Sequence, residues 1–168
     1  MVEIPLTKGK IALIDDEDYE KVSRHKWHIC KSKWGQIYAV TDTKTDTGRK
    51  IKKAMHRLIL DVNISFHILQ IDHISGDGLD NRRFNLRICT PFQNAGNQKI
   101  SKNNTSGYKG VGWDIVKKMW RSCIKINGKT LHLGYFRNKI DAAITYNNVA
   151  VKYWGGFAKI NPIQKGGE

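Results

Sequence analysis

The stretch from Ile71 to Asn94 sets the tightest limit on how this chain can fold. It reads Ile71-Asp72-His73-Ile74, then Asn81-Arg82-Arg83-Phe84-Asn85-Leu86-Arg87, then Phe92-Gln93-Asn94. A carboxylate stands beside an imidazole, with Asn85 twelve positions after His73 and Asn94 twenty-one after it. Leu69-Gln70-Ile71 is apolar at alternate positions and leads into Asp72-His73 as a short strand would. Gly76-Asp77-Gly78 and its polar neighbours form a loop. Leu86 and Ile88 alternate with Asn85, Arg87 and Cys89, which predicts a returning strand. Thr90-Pro91 then opens a helix, a hydroxyl at the N-cap and proline at the first helical position. Asn94 falls about one turn into that helix. Strand, loop, strand and helix would gather Asp72, His73 and Asn94. An oxygen ligand, a neutral imidazole base and a carboxamide are the parts of a one-metal hydrolytic site. The plainer alternative is an ordinary surface turn, since Asp, Asn and Gly are common in loops.

Asp72-His73, Asn85-Leu86 and Asn94, in this order, resemble the HNH (ββα-metal) nucleases, in particular the branch containing phage and intron homing endonucleases. The resemblance implies His73 as the general base that activates water. It implies Asp72 and Asn94 as ligands to a divalent metal, and Asn85 as the residue that orients the His73 loop through hydrogen bonds. Asn94 departs from the His that often fills the third position. Hard oxygen ligands favour Mg²⁺ or Mn²⁺ over a thiolate-bound metal. Asn97, one turn further on, reads as a solvated helix residue.

A second module follows. Ser101-Lys102-Asn103-Asn104-Thr105-Ser106 lacks aliphatic and aromatic residues and reads as a linker. Beyond it, Gly110-Val111-Gly112-Trp113, Trp120 to Ile126 and Thr130 to Gly134 predict three strands, with Asn127-Gly128 as the hairpin turn between the last two. Asn138 to Tyr153 predicts a helix capped by Asn138, with Ile140, Ala143, Ile144, Ala150 and Val151 on its apolar face. Alternation places Trp120, Ser122, Ile124, Leu131 and Leu133 toward that helix, and Arg121, Cys123, Lys125, Thr130 and His132 away from it. Trp113 reads as edge packing or a groove contact.

The basic residues are concentrated here. Twenty-nine Lys and Arg against fifteen Asp and Glu give the 168-residue chain a net charge of +14. Residues 101–168 contribute +9 of it, from 12 basic and 3 acidic side chains, and residues 1–100 only +5. A pI near 9.8 fits a polyanion-binding protein. A twisted ribbon of strands with a basic outer face can enter the major groove of DNA.

Gly110-Val111, Trp120-Arg121, Asn127-Gly128-Lys129, Leu133-Gly134-Tyr135-Phe136, Asp141-Ala142-Ala143, Tyr146-Asn147 and Gly156 to Asn161 resemble the plant APETALA2/ethylene-response-factor domain across residues 105–162. That family binds DNA through its three-stranded sheet. The resemblance implies double-stranded DNA as partner, with Lys109, Arg121, Lys125, His132 and Arg137 as contact candidates. Each of these side chains can equally be plain solvated surface. Gly112 and Thr130 stand where plant members carry Arg, so no target sequence follows.

Residues 1–68 carry weaker signals. Asp15 to Glu20 reads as the acidic, solvated start of a helix reaching about Arg24. Tyr38-Ala39-Val40 and Arg49-Lys50-Ile51 flank Thr45-Asp46-Thr47-Gly48 as a hairpin would, and Met55 to Leu60 reads as a short helix. Lys50, Lys52, Lys53 and Arg57, together with Arg82 and Arg83, are candidates for phosphate contacts. His56 could approach the candidate site, although a structural hydrogen bond is its first reading, and Trp27 and Trp34 read as core. Three separated cysteines and no Cys-x-x-Cys pair exclude a zinc knuckle. No apolar run is long enough for a bilayer and no signal peptide is visible, so the expectation is a soluble cytoplasmic protein, of a bacterial host if phage-encoded, with no membrane or obligate protein partner.

The expected architecture is α+β: a nuclease domain over 1–100, a linker at 101–105 and a DNA-binding domain over 106–163. The expected activity is metal-dependent DNA cleavage or nicking, with a non-catalytic DNA-binding regulator as the rival and an RNA-binding module as a third reading.

Overall fold

The computed structural model describes residues 1–33, 35–45, 47–62 and 69–163. Trp34, expected in the core, and Asp46, at the expected hairpin tip, lie outside the described residues. The fold is mixed α+β, with four small sheets and four α-helices among the described residues, and the chain divides into two compact units, Met1–Pro91 and Phe92–Glu168. No described helix is long and apolar enough to cross a membrane.

The first unit opens with an antiparallel hairpin, β1 (Val2–Pro5) and β2 (Ile11–Ile14), in the register Val2↔Ile14. A 3-10 turn at Asp16–Asp18 runs into α1 (Tyr19–Ser23). β3 (His28–Lys31), β4 (Ile37–Lys44) and β5 (Lys50–Ala54) form an antiparallel sheet in the order β3-β4-β5, and α2 (Met55–Ile59) follows directly. β6 (Gln70–His73) and β7 (Leu86–Cys89) pair antiparallel, with Asp72 opposite Arg87 and His73 opposite Leu86. Ile4, Ala12, Ile14, Val22, Trp27, Met55, Ile59 and Leu86 belong to one buried core. Ala12 and Ile14 face that core while Ile11 is exposed, the half-buried alternation that stabilises a short strand. The loop between β6 and β7 is tied to β2: Leu13 N–H donates to Leu79 O and Asn81 N–H to Leu13 O.

The second unit contains β8 (Val111–Asp114), β9 (Met119–Ile126), β10 (Lys129–Phe136) and α4 (Lys139–Trp154), with strand order β10-β9-β8. Asn127 and Gly128 both have positive φ, 49° and 79°, as a type I′ hairpin turn requires. Asn138 caps α4 through its side-chain oxygen, which accepts from Ile140 N–H. The buried face of α4 is Ala142, Ala143, Tyr146, Ala150 and Trp154. Ile144 and Val151, assigned to that face from their hydropathy, are instead exposed, because the buried stripe runs through positions 142, 146, 150 and 154 and they fall outside it.

α3 (Pro91–Gly96) crosses the division in sequence, with Pro91 in the first unit and Phe92 to Gly96 in the second. Phe92 packs against the core formed by Ile124, Ile126, Tyr146, Ala150 and Trp154. Gly96 O accepts from both Lys159 N–H and Lys109 Nζ. Within the polar stretch at 101–105, Asn104 Nδ2 donates to the carbonyls of Tyr108 and Val111, so the end of that stretch is bonded into the second unit.

Candidate functional site

β6 delivers Asp72 and His73 side by side, both nearly buried at 6% and 5% exposure. Arg87, opposite Asp72 on β7, donates from Nε at 2.9 Å and Nη2 at 2.7 Å to the same carboxylate oxygen, Oδ2. After His73 the chain turns at once, Gly76 N–H donating to His73 O. Asn85 then braces both ends of the loop. Its Oδ1 accepts from Ser75 N–H at 2.8 Å and its Nδ2 donates to Asp80 O at 2.7 Å, while its side chain is almost wholly buried. Asp77 Oδ1 accepts from Leu79 N–H. Gly78 lets the loop press against β4, because a β-carbon there would stand 2.4 Å from Ile37 O and 2.7 Å from the Tyr38 ring.

Asn81, fully buried, faces His73. Its Nδ2 donates to Leu79 O, which turns its Oδ1 toward His73 Nε2 at 3.5 Å. That arrangement favours the tautomer with hydrogen on Nε2 and the lone pair on Nδ1. Burial lowers the pKa of His73 below the usual imidazole value; the Asn81 hydrogen bond and the carboxylates of Asp72, Asp77 and Asp80 oppose that shift without overcoming it. The ring is therefore neutral at physiological pH, the form a proton acceptor needs.

Two further rings close around His73. His56, on α2, meets it edge-to-face with centroids 5.0 Å apart and planes at 88°. Tyr38, on β4, lies 5.8 Å from both imidazoles. Burial, followed by the charges of His73 and Arg57, pushes His56 down to about 3. The Nδ1 of His56 is buried without a hydrogen-bond partner among the described residues, so the structural hydrogen bond expected of this side chain is not made at that atom. The approach of His56 to the site was one of its two readings from sequence, whereas the contact of Tyr38 with both imidazoles was not read, because it joins residues from three separate elements.

Several basic residues named from sequence are engaged elsewhere. Arg82 makes a two-pronged pair with Asp80, Nε to Oδ1 at 2.7 Å and Nη2 to Oδ2 at 2.8 Å. Arg83 grips Asp18 in the same manner and also meets Glu17, while its N–H donates to Asp15. The acidic run expected to be solvated is thus the receptor for Arg83, and Asp18 is buried. These pairings set the charges of Arg82 and Arg83 against carboxylates of the first unit. Lys109 is engaged within the second unit as well. Its ammonium bonds Gly96 O and lies about 6 Å from the Tyr146 and Trp154 rings, and burial lowers it to about 8.

Asn94 lies on α3, within the second unit. Asn97, read as solvated, is buried. On the sheet, Arg121 and Lys125 are exposed on β9, as is His132 on β10, and Arg137 is exposed just after it. Ser122, Ile124 and Ile126 are buried on the helix side, and Ser122 Oγ donates to Ala142 O, so Arg121, Cys123 and Lys125 form the outer face. His132 pairs with Cys123, but a β-bulge follows, and Gly134 pairs with Ser122 and Tyr135 with Arg121. The bulge turns Tyr135 outward beside His132, ring centroids 4.5 Å apart, with Lys117 Nζ 4.1 Å over the Tyr135 ring. Simple alternation had missed Tyr135 and Lys117. Trp113 packs edge-on against Trp120 while remaining 48% exposed.

Comparison with curated proteins finds 31% identity over 159 residues to the uncharacterized HNH endonuclease L560 of Acanthamoeba polyphaga mimivirus, covering 93% of this chain and 77% of that protein. Protein 3.8 of Escherichia phage T7 is 44% identical over 59 residues, 35% of this chain and 49% of that protein. No family model matches the chain, and no solved structure matches it.

Proposed function

Because this chain belongs to the HNH endonuclease family, we propose that it hydrolyses phosphodiester bonds of double-stranded DNA with a divalent metal, as a homing-type endonuclease of a phage or another mobile element. The single observation that carries this reading is the buried Asp72-His73 pair at the end of β6, held by a loop that Asn85 braces at both ends. The order β6, β7, α3 supports a ββα-metal motif. In the proposed division, residues 1–100 are the nuclease domain, 101–105 the join and 106–163 an APETALA2-like domain that holds the duplex.

His73 would take the proton from the attacking water at Nδ1, with Asn81 receiving the Nε2 hydrogen and keeping the ring in that tautomer. Asn85 would act on the loop rather than on substrate, fixing where the His73 ring begins. Asp72 and, by the resemblance, Asn94 would hold Mg²⁺ or Mn²⁺. The donor chemistry fits: Asp72 is a buried carboxylate whose Oδ2 accepts from Arg87, and Mg²⁺ needs only one or two carboxylates beside water and phosphate oxygens. Among the described residues no cluster of three or more His, Cys, Asp or Glu is placed to bind a metal. When bound, the metal supplies Lewis-acid stabilisation of charge on the phosphate and the leaving oxygen. Arg121, Lys125, His132, Arg137, Lys117 and Tyr135 would meet the DNA, the cations on phosphates and the ring on bases or sugars.

The Arg87–Asp72 pair favours a second reading, since a guanidinium on the ligand carboxylate neutralises it without a metal. In that reading the core is a support and the protein a DNA-binding regulator. A plasmid-nicking assay with Mg²⁺ separates the two. Nicking by wild type and none by His73→Ala supports the nuclease with His73 as base. Equal nicking by both removes His73 from the mechanism, and no nicking of a verified bound target by wild type favours the regulator.

A further inference from the structure

We propose that His56 is a positioning residue for His73, fixing the plane of its ring by edge-to-face packing. The proposal rests on the reading of His73 as the base. α2 is a rigid mount for His56: Met55 and Ile59 are buried at 0% and 1% exposure and Leu58 at 6%, all in the core of the first unit. The His56 ring stands perpendicular to that of His73 at 5.0 Å, in the T-shaped arrangement aromatic pairs prefer. Tyr38 contacts both rings from β4 and closes the group from a third element.

The Asn81 hydrogen bond to His73 Nε2 is long at 3.5 Å, and a bond at that nitrogen does not by itself set the rotation of the ring about Cβ–Cγ. The His56 ring, perpendicular to that of His73, restricts that rotation. Nδ1 of His56 has no hydrogen-bond partner among the described residues, and its contact with His73 is ring against ring. Burial keeps His56 uncharged down to about pH 3, so it packs as a neutral ring wherever the enzyme works.

The test compares His56→Ala and His56→Phe in the full-length protein. Misplacing a catalytic group by about 1 Å costs up to roughly 100-fold, so kcat for His56→Ala should fall roughly 10- to 100-fold with KM for DNA within about threefold of wild type. His56→Phe restores a ring edge and removes the unpartnered nitrogen, so it should melt at or above the wild-type temperature and recover kcat to within about threefold. A merely structural His56 would make activity follow melting temperature through the series. The readout that does not depend on cleavage is the ¹⁵N imidazole spectrum of His73 without DNA. Wild type and His56→Phe should show one Nε2-protonated tautomer, and His56→Ala an averaged mixture. If wild type fails to nick at all, the nuclease reading falls while the spectrum still decides the ring contact. A wild-type His73 spectrum in His56→Ala, or a His56→Phe protein as inactive as His56→Ala, overturns the proposal.

Discussion

Gly96 lies so close beneath the indole of Trp154 that a β-carbon at position 96 would stand 2.6 Å from Cγ and 2.9 Å from Cβ of that side chain. The obstructing atoms are the root of the side chain, which cannot swing away, and Trp154 is buried in the core of the second unit. Gly96→Ala in a helix would ordinarily gain up to about 1 kcal/mol, but forced overpacking costs about 1–3 kcal/mol and wins here. The expected result is a lower melting temperature, read by circular dichroism. Since Asn94 sits on the same short helix, the Mg²⁺ concentration needed for nicking should rise as well.

Asn85→Ala removes the acceptor of Ser75 N–H and the donor to Asp80 O in one step. Leaving such buried groups unpaired costs about 1–3 kcal/mol each. The variant should remain folded at low temperature and lose nicking far out of proportion to its loss of DNA binding. Asn85→Asp keeps the acceptor and should retain more stability than Asn85→Ala in the same urea titration.

Arg87→Ala leaves the Asp72 carboxylate buried without its cation, and breaking such a pair costs about 3–5 kcal/mol. Added Mg²⁺ should recover part of the lost stability, and recover more in Arg87→Ala than in wild type, in a thermal-shift series. Equal shifts in both proteins would remove Asp72 from the metal site.

The depressed pKa of His56 makes stability depend on pH. Between 6.5, its ordinary value, and about 3, the unfolded chain binds a proton at His56 that the native protein refuses. Its contribution is therefore complete above 6.5 and is lost progressively as pH falls toward 3. His56→Phe should flatten the stability profile across that window, measured as denaturation midpoints at fixed ionic strength. His73, depressed in the same direction, adds to the wild-type slope and should persist in the variant.

Lys109 and Arg121 should part company when each is changed to Ala. Lys109→Ala deprives Gly96 O of a donor and the Tyr146 and Trp154 rings of a nearby cation, so it should lower stability and leave the salt dependence of DNA binding alone. Arg121→Ala, on the exposed face of β9, should leave stability alone and reduce the slope of log K against log salt by about 0.9 if it neutralises one phosphate.

What sequence revealed here followed the range of the interaction. β6, β7 and α3 were legible because alternation and the Thr90-Pro91 helix start are local, and Asn127-Gly128 announced its turn for the same reason. The strands β1, β2 and β3 were not read, because each is four residues long and owes its stability to a core assembled from distant segments. Arg83 looked like a free cation because its partner Asp18 lies 65 residues away. Of the candidate site, the identities of Asp72, His73 and Asn85 were legible, whereas Asn81, Arg87 and the Tyr38–His56–His73 contact needed coordinates.

The irregularity in β10 bears on how this sheet can be re-engineered. With Leu133 as the extra residue, outward positions on that strand run Thr130, His132, Tyr135 rather than Thr130, His132, Gly134. A library that varies every second residue would place its third substitution at Gly134, where φ of 135° and the nearby Phe136 ring resist any side chain. Randomising Thr130, His132 and Tyr135 together with Arg121 and Lys125 instead keeps every varied side chain on one surface and leaves the packed face untouched.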